Sequence, residues 1–314
     1  MKVYRNINKF SSENKTIATL GTFDGVHLGH RKIVDKLVNE AKLKSLESVV
    51  LTFFPHPRMI VQPESEIKLI NTLSEKERRM ERLGLDNFII HPFTKEFSQL
   101  SAEAFVEDIL VKKLNISKII IGYDHKFGKN RTADINDLIR FGKQYDFEVE
   151  QISAQEVAEV SVSSTKVRKA LEEGNLPLAN SYLVDPFPIS GRVVKGREIG
   201  RTIGFPTANL ELENTYKIVP KPGVYVVQTS WNKKIICGMM NIGVNPTVSG
   251  TQQSIEIHFF DFNENIYNHY IEVDVLKYLR AEQKFNSLDE LQNQLNVDQK
   301  LSLAYFDAKD YKSL

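Results

Sequence analysis

The rhythm of apolar residues changes once along this chain, near residue 180, and that change restricts the fold more than any other feature. Before it, short apolar runs alternate with amphipathic stretches. Residues 16–20 (TIATL), 49–53 (VVLTF), 88–90, 119–121 and 147–152 read as strands. Residues 30–43, 74–83, 101–113 and 134–143 read as helices between them, the first with Ile33, Leu37 and Ala41 on one face. Ser74 and Ser101 are the expected N-caps, Ser74 with Glu77 as its capping-box partner. Strands separated by helices imply βαβ units and a parallel sheet, and such sheets bind ligands beyond the carboxyl ends of their strands. A last helix is expected at residues 164–173, ended by Gly174.

Pro177, Pro186 and Pro188 then punctuate the chain. Short β-rich runs follow at 191–194, 224–229, 235–240, 255–260 and 271–276, with Gly, Pro and Asn between them. Short strands joined by turns argue for an antiparallel barrel or a sandwich. Two helices, at 288–295 and 299–306, are expected to close the chain. The fold class is therefore an α/β unit followed by a β unit. A chain of 314 residues suits two domains better than one. The boundary is expected at 183–188, which gives domains 1–183 and 184–314.

Composition narrows the partners. Forty-one Lys+Arg against forty Asp+Glu leave a net charge of +1, so the global cationic field of a nucleic-acid binder is absent. The single Cys237 excludes an intramolecular disulfide and a Cys-rich zinc site. The opening MKVYRNINKF has no apolar signal-peptide core, and no run approaches the ~18 apolar residues of a membrane span. A cytoplasmic protein without nucleic-acid or membrane partners is expected, as a monomer or weak homo-oligomer.

Two segments carry chemistry. The first, GTFDGVHLGH at 21–30, follows a strand and opens a helix. Gly21 and Gly25 allow tight turning and close approach of backbone to a ligand. His27 and His30 are spaced to face one way on the first helical turn. A helix N-terminus offers free N–H groups and a positive dipole end to phosphate, and two imidazoles there can donate hydrogen bonds to phosphoryl oxygens. Zinc is the weaker reading, because no HExxH and no Cys partner exist. Ser164, Thr165 and Arg168 in SSTKVR add helix-start hydroxyls and a bidentate cation. His56 in TFFPHP follows one strand. Asp124 and Phe127 in IGYDHKFGKNR follow another, and suit a second substrate.

GTFDGVHLGH, TFFPHP, YDHKFGK and SSTKVR resemble, in order, the motifs of the adenylyltransferase module of bacterial FAD synthetases, which are HxGH nucleotidyltransferases with a Rossmann-like fold. The resemblance implies transfer of AMP from ATP to FMN, giving FAD and pyrophosphate. It places His27 and His30 at the α-phosphate, with Gly21, Phe23, Asp24, Gly25, Ser164, Thr165 and Arg168 around ATP. His56, Asp124 and Phe127 would meet the flavin. The chain departs from the family pattern at His125, where members commonly carry Phe.

The second segment, GRVVKGREIGRTIGFPTANL at 191–210, is a Gly-rich basic loop without the GxxxxGK[ST] of a Walker A motif. Thr207 and Asn209 alternate, so in extended chain they point to one side and offer oxygens that suit Mg²⁺. Glu256 lies in the alternating SIEIHFFDF, with His258 and Phe260 on its face and Ile255, Ile257 and Phe259 on the other. It is either a solvated strand residue or a base for an attacking hydroxyl.

This loop, together with PGVY, NIGVNPT, IEIHFFDF and YLRAEQKF, resembles the successive signatures of riboflavin kinase. The resemblance implies a small antiparallel β-barrel with C-terminal helices that transfers the ATP γ-phosphate to the ribityl hydroxyl of riboflavin. Thr207 and Asn209 would coordinate Mg²⁺, Lys195 and Gly204 would contact ATP, and Glu256 would be the base. Arg280 would sit in a loop near the flavin. Asn268 replaces a usual Gly at a turn. Both resemblances occur in the order of bacterial bifunctional riboflavin kinase/FAD synthetases, which implies that riboflavin, FMN, FAD and ATP are the small-molecule partners.

Overall fold

The computed structural model describes residues 1–123, 125–153, 162–196, 198–247 and 250–308. The chain divides into two compact units, Met1–Ser164 and Thr165–Leu314.

The first unit is built on a parallel six-stranded sheet in the order β1-β4-β3-β2-β5-β6. Its strands are β1 (Lys2–Tyr4), β2 (Thr16–Leu20), β3 (Glu47–Phe54), β4 (Asn87–Pro92), β5 (Ile116–Ile121) and β6 (Glu148–Gln151). Every residue of β2 is buried, as a strand covered on both faces requires. The chain order steps outward from β2 through β3 to β4, then returns to β5 on the other side of β2. The switch point therefore lies between β2 and β5, where such sheets bind ligands. GTFDGVHLGH leaves the carboxyl end of β2, and Gly122 and Tyr123 leave that of β5.

The helices of this unit are α1 (Leu28–Lys44), α2 (Pro57–Val61), α3 (Leu73–Arg82), α4 (Lys95–Ser98), α5 (Ala102–Ala104) and α6 (Ile135–Tyr145). Ser101 caps α5 as expected, accepting from the Ala104 N–H, but the chain continues as a π-helical stretch over Phe105–Val111. The cap of α3 differs from expectation. It is Thr72 with Glu75, not Ser74 with Glu77. The Glu75 N–H reaches Thr72 Oγ1 at 3.2 Å and the Thr72 N–H reaches Glu75 Oε2 at 2.9 Å. Helix α3 thus starts a residue earlier and buries Glu75, Lys76, Arg79 and Met80.

In the second unit, α7 (Ser164–Glu173) ends at Gly174, whose φ is +75°. It is not the last helix before the barrel. Pro177 sits in the first turn of α8 (Leu176–Tyr182), where proline is tolerated because its missing N–H would be unpaired anyway. Asn180 ties α8 to the barrel: its side chain donates to the Val275 carbonyl at 2.9 Å and accepts from the Phe187 N–H at 2.8 Å.

The β unit is a closed antiparallel barrel, β10-β11-β8-β7-β12-β9, so the sandwich alternative is set aside. Its strands are β7 (Phe187–Val194), β8 (Ala208–Glu211), β9 (Gly223–Trp231), β10 (Lys234–Thr247), β11 (Gly250–Phe259) and β12 (Tyr270–Arg280), with a short helix α9 (Ile199–Thr202) after β7. Asn268 has φ +66°, the left-handed geometry that Asn tolerates in place of Gly. The two expected closing helices are one, α10 (Leu288–Asp307). The expected gap, residues 296–298, is helical. In the fold, Asn296 Nδ2 donates to the Gln292 carbonyl one turn back, and Asp298 is buried against Arg280. Phe306 of α10 joins the cluster of Phe205, Val226, Met239, Phe260 and Leu276.

The shifted cap is testable. Thr72→Ala should cost about 1 kcal/mol of stability, and Ser74→Ala less than about 0.5 kcal/mol. Urea unfolding midpoints of the two variants compare them directly.

Candidate active sites

The turn after β2 is held by groups from well beyond it. The Thr22 carbonyl accepts from Lys76 Nζ at 2.6 Å and Thr52 Oγ1 at 3.2 Å. Asp24, 1% exposed, accepts on Oδ1 from the N–H groups of Ile70 (2.9 Å) and Asn71 (3.3 Å). Its backbone carbonyl accepts from Ser164 Oγ at 2.9 Å. These bonds hold a backbone that local preference opposes. Gly25 has φ +92°, and Phe23 and Val26 sit at +45° and +42°, where a β-branched residue is seldom found. Such geometry persists only where the surroundings over-determine it, and it concentrates at functional sites. Asp24 therefore stands as an anchor of the turn, and a carboxylate so placed is ill suited to touch phosphate itself.

His27 is the N-cap of α1. Its Nδ1 accepts from the His30 N–H at 3.3 Å, so the proton of the neutral ring resides on Nε2, which is left as a donor. The two imidazoles stack with centroids 3.6 Å apart and planes 16° apart. Burial lowers His27 to about 4. It lowers His30 well below the usual histidine value, with His27 and Lys76 adding to the effect. His30 Nδ1 is buried with no hydrogen-bond partner among the described residues. At neutral pH the turn thus offers neutral imidazoles beside the positive end of a 17-residue helix.

Lys76 was not singled out from the sequence. It is 4% exposed, and burial lowers its ammonium to about 8 against the pull of Asp24. The sequence predicts a helix at 74–83 and assigns none of its residues to the site. The available signal was spacing: Lys76 is one turn before Met80, on the face that the helix buries.

The flavin-side expectations fall on aromatic ground. His56 caps α2, its Nδ1 accepting from the Arg58 N–H at 3.1 Å. Phe127 is buried 5.9 Å from Phe105, and His125 stacks over it at 6.2 Å and 15°. Asp124 lies outside the described residues. Thr165 and Arg168 belong to the second unit, on α7, with Arg168 one turn beyond Ser164.

In the barrel, β8 pairs with β11 so that Asn209 stands opposite Glu256 and Ala208 opposite Ile257. Directly opposed residues project to the same side, with Cβ atoms about 5 Å apart. Thr207, two residues before Asn209, shares that side in extended chain. The Asn209 amide lies where a side chain on residue 196 would be: a Cβ on Gly196 would fall 2.0 Å from Asn209 Nδ2. Gly196 is bare to admit Asn209, and the oxygens of Thr207 and Asn209 fit a hard divalent cation.

Two cavities meet at Thr207, and Asn209 lines neither. One, of about 660 Å³, is lined by Lys195, Glu198, Arg201, Thr207, Phe259 and Tyr267 among others. The other, of about 290 Å³, is lined by Thr207, Met240, Asn241, Glu256, His258, Arg280, Phe285, Leu291 and Leu295 among others. Thr207 lines both. The alternation of β11 divides it between them: Ile257 and Phe259 face the larger cavity, Glu256 and His258 the smaller. Gly204 lines neither, and sits at φ +85° in the turn leading to Thr207.

Arg280 is not in a loop. It is the last residue of β12, paired with Val224, and its guanidinium is clamped by Asp298. His258 was read only as a strand-face residue. Its Nδ1 lies 2.8 Å from the Pro206 carbonyl, which can only accept, so Nδ1 carries the proton. Burial lowers its pKa.

The switch-point turn of one unit and the two-cavity barrel of the other define a protein with two separate candidate sites for small-molecule chemistry on one chain. Residues 9–166 match the FAD synthetase family and residues 183–306 the riboflavin kinase family. Similar proteins include the bifunctional riboflavin kinase/FMN adenylyltransferases of Escherichia coli K12 (38% identical, 98% of each chain) and Bacillus subtilis 168 (38%, 93% of each). A solved chain from Streptococcus pneumoniae, described as a macrolide-efflux protein, aligns with a TM-score of 0.85 at 31% identity, over 96% of this chain and 98% of that one. Among the described residues, no helix is long and apolar enough to cross a membrane. The chain belongs to the family of bifunctional riboflavin kinases/FMN adenylyltransferases.

The His27 environment sets a pH dependence. Unfolded histidine takes up a proton as pH falls through 6.5, whereas folded His27 resists until about 4. Its contribution to stability is therefore full above 6.5 and lost as pH falls to 4, on the order of 3 kcal/mol. His27→Asn keeps a capping side chain and cannot titrate. Urea midpoints between pH 7 and 4 should fall less steeply in that variant than in the parent.

Proposed function

We propose that the barrel unit phosphorylates riboflavin to FMN and that the parallel-sheet unit joins FMN to AMP from ATP, releasing pyrophosphate. Thr207 carries the kinase assignment, because it forms part of the wall common to both barrel cavities. The larger cavity has Lys195 and Arg201 for a triphosphate. The smaller has Met239, Met240, Phe285, Leu291 and Leu295 for an apolar ring system. A ribityl hydroxyl reaching toward Thr207 meets Glu256, which accepts its proton as oxygen attacks the γ-phosphorus and ADP leaves. Thr207 and Asn209 would hold Mg²⁺, which would offset phosphate charge there.

The other site needs no comparable base, since its nucleophile is an FMN phosphate that is already anionic. Catalysis there is positioning and electrostatic stabilisation. Charge that grows on the α-phosphoryl oxygens meets Nε2–H of His27, the His30 ring and the first turn of α1. Gly21, Phe23 and Gly25 shape the turn around ATP, with Asp24 as its anchor and Ser164, Thr165 and Arg168 on the phosphates. His56, Asp124 and Phe127 serve the flavin, and His125 adds a second ring over Phe127. We assign the modules to residues 1–183 and 184–314, and the protein to the cytoplasm as a monomer or weak homo-oligomer. Because Asn180 braces the barrel, a fragment 184–314 should still make FMN but melt below the full chain's barrel.

Incubating the pure chain with riboflavin, ATP and Mg²⁺, then separating the flavins, tests the reading. FMN should appear and then give way to FAD; unchanged riboflavin would overturn it. Replacing both His27 and His30 by Ala should reduce FAD formation by roughly 10²-fold or more and leave FMN formation intact. Glu256→Gln should do the reverse: kinase turnover falls ~10²-fold or more, while supplied FMN is converted normally.

A further inference from the structure

We propose that Asp298, in the middle of α10, is a positioning residue for riboflavin: it fixes the Arg280 guanidinium so that its free edge faces the smaller barrel cavity. The inference rests on the reading of that cavity as the riboflavin side.

Arg280 has five N–H donors. Its Nε reaches both Asp298 oxygens, at 2.9 and 3.1 Å, and its Nη2 reaches Oδ2 at 2.7 Å. Nη1 donates to the Ala281 carbonyl at 3.0 Å. Three donors are committed and one remains on each terminal nitrogen. Phe285 lies under the group, 5.9 Å from Cζ. The Arg280 side chain is 18% exposed and lines the cavity, whereas that of Asp298 is fully buried. Asp298 is itself held: Gln294 Nε2 donates to its Oδ1 at 3.0 Å, and Ser302 Oγ to its carbonyl at 2.8 Å. The arginine is thus locked from behind by a carboxylate that cannot touch a ligand.

The same helix touches other lining residues. Leu291 and Leu295 line the cavity, and Gln292 Nε2 donates at 3.0 Å to the carbonyl of Ile203, another lining residue. Helix α10 therefore grips the cavity at the end of β12 and at the segment that leads to Thr207. A buried ion pair is a poor device for stability alone, since apolar residues of similar volume often serve as well or better. Orientation of a ligand-facing fork is something those residues could not supply.

The test compares Asp298→Asn with Arg280→Met in the full chain. An amide at 298 turns an N–H toward the guanidinium and loses the bidentate bridge. Riboflavin KM should rise about tenfold or more in both variants, with kinase kcat within about threefold of the parent. Conversion of FMN to FAD, made in the other unit, should be unchanged and reports that the chain is folded. If Arg280→Met leaves riboflavin KM unaltered, the riboflavin-side reading of this cavity fails. If Arg280→Met raises it but a folded Asp298→Asn does not, the positioning role fails. Should Asp298→Asn not fold, Gln294→Leu loosens the same carboxylate without removing it. A several-fold rise in riboflavin KM there supports the proposal, and an unchanged KM overturns it.

Discussion

Asn209 stands opposite Glu256 because β8 and β11 run antiparallel in one register, and the proposed kinase site depends on that pairing. A slip by one residue would turn each side chain to the other face of its strand. Thr207 would then leave the wall between the cavities, and Glu256 would exchange places with a buried isoleucine. The barrel fixes the register by closing on itself. Strand β8 is only four residues long, yet it is paired on both sides, by β7 and β11. Gly196 then leaves room for the Asn209 amide, so steric constraint from one strand end protects the chemistry of the next.

The parallel-sheet unit solves a different problem. Its turn is strained at Phe23 and Val26, and the restraint comes from the 70–76 segment through Asp24 and Lys76. A buried lysine beside a buried histidine pair is costly, and the site meets that cost by keeping the imidazoles neutral. Neutral rings still donate hydrogen bonds. The positive end of α1 lies beside them. In the proposed reactions the two units differ as their nucleophiles differ: a hydroxyl needs a carboxylate to take its proton, while a phosphate needs a cradle.

Much of this was legible in the sequence where the signal is local. The strand at 16–20 and the helix at 164–173 were read to the residue, because apolar periodicity and caps are properties of adjacent residues. The face of Glu256 followed from alternation alone, although its role could not. What was missed is non-local. Strand β1 is three residues long and exists by pairing with β4. Lys76 reaches the Thr22 carbonyl across fifty-four residues. Asp298 fell in the gap between two expected helices, and nothing in its neighbourhood announces Arg280, eighteen residues away. Ser74 was the expected cap and Thr72 is the observed one: both are good capping residues, and the Asn71 N–H beside Thr72 is bonded to distant Asp24.

The central claim is that one chain carries two complete active sites, each with its own residues. Mixing two disabled chains measures it most directly. A chain lacking His27 and His30 should stop at FMN, and a chain with Glu256→Gln should scarcely start from riboflavin. Supplied together with riboflavin, ATP and Mg²⁺, they should produce FAD, because FMN released by one chain is taken up by the other. Failure of the mixture to make FAD, with each chain folded and retaining its remaining activity, would contradict the account.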